Sequence, residues 1–407
     1  MKKRGKWFAV VGVLAIVAAA CGGDDGGGGG GGDTPSPSVI GSIGEGEGAL
    51  NLIAWPGYAE DGSTDPKVDW VTPFEQETGC QVTVKDGNTS DEMVNLMRQS
   101  GGTAFDGVSA SGDATNRLIA AGDVAAIDVN MFADYTDVMP SLQAPAHNTV
   151  NGIHYGVPYT WGPNILMFNP DVVTTAPTSW DVAFETQLNG AANPYAGKVT
   201  AYDSPIYIAD AAMYLMTHNP DLGITDPYEL TQEQLDAAVT LLKQQAGMVK
   251  KYWAVYTDEI DGFESGDMVV GTAWPVNQNL IALDGKVPVE SVIPSEGVTG
   301  WADTWMMSAN AQHPNCMLMW MDYTLHPDVQ VQVAEWFGAT PSNTKSCPQL
   351  ESDLGADAAL YHCGDDAFLS QVYLWKTPLS DCGDDRGAAC TDYSTWTNSW
   401  TEIRGAG

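Results

Sequence analysis

Short apolar segments alternate with segments of helical periodicity from Ala49 onward, and this alternation restricts the chain to a layered α/β fold. The first set is predicted as strand 49–55, helix 70–78, strand 81–84, helix 90–97, strand 105–109 and helix 114–121. The second set is strand 165–168, helix 179–184, strand 198–202, helix 206–217, a helix opened by a capping box at 231–234, and strand 267–274. The chain then returns at 301–308, and helices 316–325 and 327–337 precede a cysteine-bearing tail. The length is sufficient for two lobes.

The first twenty residues have the composition of an export signal. A basic start is followed by an uncharged, mostly apolar stretch at 7–20, which is shorter than the roughly 20 residues needed to cross a bilayer. The motif Ala18-Ala19-Ala20-Cys21 resembles a bacterial lipobox, with Ala18 in place of the usual leucine. We expect a signal peptide over 1–20, a lipid on Cys21 and attachment to the outside of the bacterial cell membrane. Ordinary cleavage that leaves Cys21 free is the alternative.

Glycine dominates the stretch that follows Cys21. Residues 21–48 contain little that can be buried, so we expect a flexible tether. The formal net charge is −35, which argues against nucleic-acid binding and favours the accumulation of cations in clefts. The same acidity also suits an exported protein that only needs to remain soluble, or a salty habitat. Charge alone therefore does not identify a ligand.

Six cysteines remain after Cys21, and an even number in an exported chain suggests disulfides. Proximity in the sequence favours Cys347–Cys363 and Cys382–Cys390, which leaves Cys80 to pair with Cys316. Six cysteines allow 15 connectivities, and the long-range pair has the least support. A zinc site is the rival interpretation, but the sequence has no C-x-x-C spacing and no matching histidine cluster.

Aromatic and acidic residues recur at the predicted carboxyl ends of the strands, where ligands bind in open α/β sheets. They are Trp55, Tyr58, Ser109 to Asp113, Asp203, Trp274, Trp301 and Asp303. Aromatic faces attract cations and cover methylene chains, and carboxylates pair with ammonium groups. Taken singly, a tryptophan is more often a core or surface residue and an aspartate a helix cap. We expect such ordinary roles for Trp375, Trp396 and Trp400.

Several segments together resemble the spermidine/putrescine-binding family of periplasmic binding proteins. They are Leu52-Ile53-Ala54-Trp55-Pro56-Gly57-Tyr58, Phe74-Glu75-Gln76-Glu77-Thr78-Gly79, Phe105-Asp106-Gly107-Val108-Ser109-Ala110-Ser111, Val157-Pro158-Tyr159-Thr160-Trp161-Gly162, Trp301-Ala302-Asp303, Pro327-Asp328-Val329 and Thr340-Pro341-Ser342-Asn343. The resemblance implies a type II periplasmic-binding-protein fold, with two lobes, a hinge and a ligand cleft between them. The first lobe would comprise 49–160 and 301–345, the second 161–300, with a disulfide-bearing segment at 346–407.

The resemblance also implies roles for individual residues. Trp55 and Tyr58 would line the first lobe and Ser111 would make a polar contact. Trp274 would lie across the cleft, and Trp301 would stack on the ligand chain. Asp203 and Asp303 would hold the ammonium ends of a polyamine, and Asp113 is a further candidate ligand residue.

Four positions depart from the family pattern. Gly57 and Ile206 stand where acidic side chains are common, and Asp113 stands where an aromatic residue is usual. Lys376 stands in place of a polar contact of the family, and its charge there would oppose a polyamine. These departures leave the fold and the transport role as expected, but they bear on the identity of the ligand.

The implied function is capture of a polyamine for import through an ABC permease with its ATPase subunits, by a monomer without a cofactor or catalytic residue. The same fold also suits another amine, an amino acid-like solute, a sugar or ferric ion, although the six histidines form no ligand-spaced cluster. A hydrolase is a less favoured alternative, because neither G-x-S-x-G nor H-E-x-x-H occurs. A sensor that signals to a membrane partner also fits the sequence.

Overall fold

The computed structural model describes residues 37–406. The predicted signal peptide, Cys21 and the first part of the predicted tether lie outside the described residues. Within the described part of the chain, no helix is both long and apolar enough to cross a membrane.

Residues 37–406 form eighteen strands and fourteen α-helices. The strands are β1 (Val39–Ile40), β2 (Ala49–Ala54), β3 (Gln81–Asp86), β4 (Gly107–Ala110), β5 (Ala126–Ile127), β6 (Thr149–Val150), β7 (Ile153–His154), β8 (Val157–Pro163), β9 (Ile165–Phe168), β10 (Gln187–Leu188), β11 (Ala191–Ala192), β12 (Val199–Tyr202), β13 (Val249–Trp253), β14 (Val270–Ala273), β15 (Glu290–Val292), β16 (Val298–Met307), β17 (Thr340–Pro341) and β18 (Val372–Leu374). The helices are α1 (Val71–Thr78), α2 (Ser90–Met97), α3 (Gly112–Ala121), α4 (Pro140–Gln143), α5 (Asp181–Phe184), α6 (Ile208–His218), α7 (Gln232–Ala246), α8 (Tyr256–Glu264), α9 (Pro275–Asp284), α10 (Pro314–Thr324), α11 (Pro327–Phe337), α12 (Cys347–Leu354), α13 (Asp366–Leu369) and α14 (Tyr393–Arg404).

The first large sheet has the strand order β17-β8-β16-β4-β2-β3, and β18 pairs with the start of β16. Strand β2 is parallel to both β3 and β4, whereas β16 is antiparallel to β4 and β8. All ten residues of β16 are buried, which is typical of a central strand covered on both faces.

The second large sheet has the order β13-β12-β14-β9-β15. Strand β12 is parallel to β13 and β14, and β9 is antiparallel to β14 and β15. The chain passes from the first sheet to the second between β8 and β9, and it returns between β15 and β16. Residues from both sheets can therefore meet where these connections lie.

Local sequence signals set the ends of several helices. Thr231 begins α7 with the predicted capping box, because its hydroxyl accepts a hydrogen bond from the Gln234 N–H while the Gln234 side chain accepts one from the Thr231 N–H. Helices α1 and α3 end at Gly79 and Gly122, whose φ values of 75° and 73° suit glycine. These predicted boundaries are confirmed.

Three disulfides join Cys80 to Cys316, Cys347 to Cys363 and Cys382 to Cys390. Their Cα–Cα distances of 5.8, 5.5 and 5.2 Å lie in the usual range. These pairings are the ones expected from the sequence. The first ties Cys316 of α10 to Cys80, the residue before β3, and the third closes a short loop in the C-terminal tail.

The last residues of the predicted tether contact the folded chain. Val39–Ile40 pairs in parallel with Ala126–Ile127, and the Glu47 carboxylate accepts hydrogen bonds from the N–H groups of Asn315 and Cys316. These two donors belong to the first turn of α10, where backbone N–H groups have no partner inside the helix. Residues assigned by sequence to a flexible tether are thus held by specific contacts.

The C-terminal segment, residues 372–406, contacts both large sheets. Strand β18 pairs with β16 of the first sheet, and the Thr377 hydroxyl donates to the carbonyl of Asp113 at the start of α3. At its other end, α14 places Trp400 and Arg404 on the carboxylate of Asp203, which follows β12 of the second sheet. The segment therefore links the two sheets a third time.

Candidate ligand site

The ends of strands from both sheets converge on one small pocket. Trp55 follows β2, Ser111 follows β4 and Trp274 follows β14, while Trp301 and Asp303 lie within β16. The pocket, called here the aromatic box, has a volume of about 20 Å³, room for roughly one water molecule. Its lining residues are Trp55, Tyr58, Ser111, Trp274, Trp301, Asp303, Phe337 and Trp375. Six of the eight predicted ligand residues therefore lie together.

Asp303 is the one charged side chain among the residues that line the box. It is 2% exposed. One carboxylate oxygen accepts a hydrogen bond from the Ser111 hydroxyl, and the other accepts a bond of 2.5 Å from the Tyr58 hydroxyl. No lysine, arginine or histidine of residues 37–406 forms an ion pair with it. The box thus contains a buried carboxylate whose negative charge has no protein counter-charge.

Burial raises the pKa of Asp303 to about 7, and the nearby charge of Asp113 acts in the same direction. The hydrogen bonds from Ser111 and Tyr58 oppose this rise, because they favour the charged form. A positive group placed in the box would lower this pKa and hold the carboxylate in its ionised form.

Tyr58 is positioned by groups from strand β8, which lies three strands away from β2 in the first sheet. The Thr160 hydroxyl donates to the Tyr58 hydroxyl at 3.1 Å, and the Tyr159 hydroxyl donates to the Tyr58 carbonyl at 3.1 Å. The Tyr58 ring packs edge-on against Tyr159 and Phe337, with centroids 5.3 and 4.7 Å apart. These contacts fix the hydroxyl that holds Asp303.

Indole rings form the walls of the box. Trp55 meets Trp274 edge-on at a centroid distance of 6.0 Å, and Trp301 meets Phe337 edge-on at 6.5 Å. Trp375 stacks on Tyr202 at 5.6 Å. The faces of aromatic rings attract cations and also cover methylene groups. A carboxylate enclosed by such rings can recognise an alkylammonium group.

Two of the predicted ligand residues do not line the box. The Asp203 carboxylate accepts hydrogen bonds from Trp400 at 3.0 Å and pairs with the Arg404 guanidinium at 3.1 Å. Asp113 is fully buried behind the box, where one oxygen accepts from the Ser90 hydroxyl at 2.8 Å and the other has no partner within the described chain. Burial raises the pKa of Asp113 to about 6. In this structure Asp203 is thus held by protein groups.

The positions that depart from the family pattern have structural explanations. Gly57 has a φ of 91°, and a Cβ there would lie 3.2 Å from the Phe337 ring, so a larger residue is disfavoured. Ile206 is buried in the core. The Lys376 ammonium lies 2.8 Å from Asp226 and 2.5 Å from Glu229. Its charge is therefore compensated by these two carboxylates, and Lys376 does not line the box.

Sequence reasoning missed Phe337 and Trp375 as parts of the box. Phe337 ends α11, and the sequence predicts it only as a helix terminus. The sequence gives Trp375 the same ordinary role as the other tail tryptophans, although it follows a short apolar run that forms β18. That run was the available signal, because a tryptophan after a strand matches the position of Trp55 and Trp274.

Within residues 37–406, no group of three or more His, Cys, Asp or Glu is arranged to hold a metal ion.

Comparison with known proteins identifies the family. A family model described as bacterial extracellular solute-binding protein matches residues 69–360. The chain belongs to this family. A solute-binding protein captures its ligand without breaking bonds, so the expectation that the chain is not an enzyme agrees with the family.

Relatives of this solute-binding protein include polyamine binders. The spermidine/putrescine-binding periplasmic protein of Escherichia coli is 24% identical, over 77% of this chain and 87% of the relative. The putrescine/agmatine-binding protein of Pseudomonas aeruginosa is 25% identical, over 72% of this chain and 81% of the relative. The resemblance to the spermidine/putrescine-binding family, stated from sequence motifs, is thus confirmed.

Solved structures support the fold. The spermidine/putrescine substrate-binding protein PotD of Streptococcus pneumoniae superimposes with a TM-score of 0.65 at 17% identity, covering 87% of this chain and 97% of that protein. The protein MotA of A. tumefaciens, solved with glucopine, gives a TM-score of 0.67 at 15% identity, covering 88% and 99%. The predicted two-lobe α/β periplasmic-binding-protein fold is confirmed.

Proposed function

We propose that this solute-binding protein captures a polyamine, or a closely similar organic cation, for import by an ABC transporter. The observation that carries the proposal is Asp303, a buried carboxylate without a protein counter-charge, enclosed by Trp55, Trp274, Trp301 and Trp375. An ammonium group in the box supplies the missing charge, and contact with the aromatic faces adds roughly 0.5–2 kcal/mol per cation–π interaction. The ligands named for the relatives belong to the same chemical class.

Capture of the solute requires the box to open and close. We propose that residues 49–160 and 301–345 form one lobe, 161–300 the other, and that 346–407 completes the structure. The connections between the sheets act as the hinge. The closed monomer then docks on a membrane permease, whose ATPase subunits drive import. A sensor would present the same closed form to a membrane partner. The two roles are distinguished by ligand uptake, which depends on the protein if it serves import and does not if it serves only as a sensor.

Location at the membrane is part of the same proposal. The motif ending at Cys21 supports export and attachment of a lipid to that cysteine. Replacing it in a Cys21→Ser variant should move the protein from the membrane fraction to the soluble extracytoplasmic fraction. If the variant stays in the membrane fraction, another feature anchors it.

The ligand proposal is tested by thermal-shift measurements on the purified protein with putrescine, spermidine, agmatine, basic amino acids and several sugars. A ligand present at about 100 times its Kd stabilises the fold by about 2.7 kcal/mol, which gives a clear shift. An Asp303→Asn variant should lose roughly 2–5 kcal/mol of binding free energy, because the ammonium loses its buried partner. The exposed Asp171→Asn variant, with the same charge change, is the control. Unchanged polyamine binding in Asp303→Asn contradicts the proposal.

One observation favours a second ligand class, an amine that also carries a carboxylate or hydroxyl group. The indole N–H groups of Trp55, Trp274, Trp301 and Trp375 have no acceptor within the described residues, and a polyamine offers none. Four indole N–H groups outside the box also have no acceptor within the described residues, those of Trp70, Trp161, Trp305 and Trp320. An indole without an acceptor is therefore not specific to the box, and Asp303 remains the stronger evidence for the class of ligand. A thermal response to basic amino acids with none to putrescine, spermidine or agmatine would favour this second class.

A further inference from the structure

The aromatic box adjoins a much larger groove. The groove has a volume of about 580 Å³, compared with about 20 Å³ for the box, and Trp55 and Phe337 line both. Its lining includes residues that follow β2, residues of β3 itself, and Tyr256, Val276 and Leu280 from α8 and α9. Space for the greater part of a ligand therefore lies in the groove, next to the box.

The residues that line the groove include three acids and no lysine, arginine or histidine. Asp61 is engaged in a turn, where its carboxylate accepts a hydrogen bond from the Ser63 N–H at 3.0 Å. Glu60 differs, since it is only 8% exposed and its carboxylate has no hydrogen-bond or ion-pair partner among residues 37–406. Its backbone carbonyl is occupied by the N–H groups of Trp70 and Val71, which holds the residue in place.

Asp86 is an exposed residue that also lines the groove. It ends β3 and pairs in register with Ala54, the residue before Trp55. Like Glu60, its carboxylate has no partner within the described chain. Glu60, Asp86 and Tyr256 all line the groove. Burial raises the pKa of the Tyr256 hydroxyl, and the charges of Glu60 and Asp86 act in the same direction. The two acids and this hydroxyl therefore face the same space.

We infer that Glu60 and Asp86 form a second cation subsite, so that the protein binds an elongated cation with two positive groups. This inference rests on the function proposed above. One ammonium group binds Asp303 in the box, the methylene chain lies along Trp55 and Phe337, and the second ammonium group binds between Glu60 and Asp86. The second charge is thus held at the groove, and Asp203, engaged by Trp400 and Arg404, has no part in it.

The test compares putrescine with butylamine, which has the same carbon chain but a single ammonium group. Their affinities are measured by isothermal titration calorimetry for the unaltered protein and for Glu60→Gln, Asp86→Asn and the double variant. The control is Glu351→Gln, which removes the charge of an exposed glutamate on α12 that has no partner within the described residues. Melting temperatures verify that each variant is folded.

The double variant should weaken putrescine binding about tenfold and leave butylamine binding unchanged. Glu351→Gln should change neither. The subsite is overturned if the double variant leaves the ratio of the putrescine and butylamine affinities unaltered, whether both affinities stay the same or both fall equally. Suppose that putrescine binds and that Asp303→Asn abolishes this binding, but that the Glu60 and Asp86 variants keep the same ratio of putrescine to butylamine affinity. The proposed function then stands without the subsite. If the unaltered protein binds no amine, the proposed function and this inference fail together.

Discussion

The Tyr58 hydroxyl donates a hydrogen bond of 2.5 Å to the carboxylate of Asp303, which lies 245 residues later in the chain. Tyr58 follows β2 and Asp303 lies in β16, and β4 separates these two strands in the first sheet. The bond therefore depends on the order of strands in the sheet. It holds the acid in a fixed orientation while leaving its charge uncompensated.

Ligand binding should release a proton below about pH 7. Burial raises the pKa of Asp303 to about 7, so the acid is largely protonated at pH 6 when no cation is present. A cation binds the ionised form, which means that affinity should increase with pH and level off above about pH 7. Calorimetry at pH 6 in two buffers of different ionisation enthalpy measures the proton release. Equal heats in both buffers would show that Asp303 is already ionised before binding.

The stability of the unliganded protein should fall as pH rises from about 4 to about 7. Burial raises the pKa values of Asp113, Asp210 and Asp303 to about 6, 7 and 7, and it also raises the pKa of Glu259. Burial lowers the pKa of His147 to about 4, which acts in the opposite direction, but the buried acids outnumber this one histidine. The three aspartates titrate near 3.8 in the unfolded state, so across this range the folded state binds more protons and the free energy of unfolding decreases with pH. Melting temperatures of the unaltered protein measure the trend.

Asp303→Asn should make this pH dependence shallower, because one of the buried acids with a raised pKa no longer titrates. Asp171→Asn, an exposed substitution, should leave the slope unchanged. Identical slopes for Asp303→Asn and the unaltered protein would contradict the raised pKa.

A Gly162→Ala substitution should weaken ligand binding without altering any charge. Gly162 pairs with Trp301 in the sheet, and a Cβ at this position would lie 2.7 Å from the Trp301 ring. The indole must then move, and such overpacking costs about 1–3 kcal/mol. Affinity should fall about tenfold. Gly247→Ala is the control, because its new methyl group would be 3.7 Å from its nearest neighbour.

A Lys376→Gln substitution should weaken ligand binding, whereas a lysine that opposed the ligand would give stronger binding on removal. The Lys376 ammonium pairs with Asp226 and Glu229, and the adjacent Trp375 forms part of the box. Loss of these ion pairs loosens the wall, with an effect of about twofold to fivefold, as expected for partly exposed pairs. Lys345→Gln, at a more exposed lysine, should leave the affinity unchanged.

The fold and much of the site could be predicted because strand ends are local features with a known geometric consequence. Trp55 and Trp274 each follow an apolar run, and the carboxyl ends of such strands bring their side chains to the same cleft. Asp203 follows a strand by the same rule, but α14 contributes Trp400 and Arg404 to its carboxylate. That contact spans 197 residues and leaves no local mark in the sequence.

The sequence predicts only part of the box and of the adjoining groove, and the reason is physical. Trp375 reaches the box because β18 pairs with β16, and a three-residue strand is too short to show periodicity. Glu60 shows no pattern either, since its burial beside the groove depends on how the loop after β2 folds back against Trp70 and Val71.

The placement of Trp375 ties the integrity of the box to the C-terminal segment. Trp375 forms one wall of the box, and the loop closed by Cys382–Cys390 lies beyond it in the sequence. A proteolytic cut before Trp375 that releases this segment would remove the wall. Under the proposed function, the clipped protein should be an empty carrier.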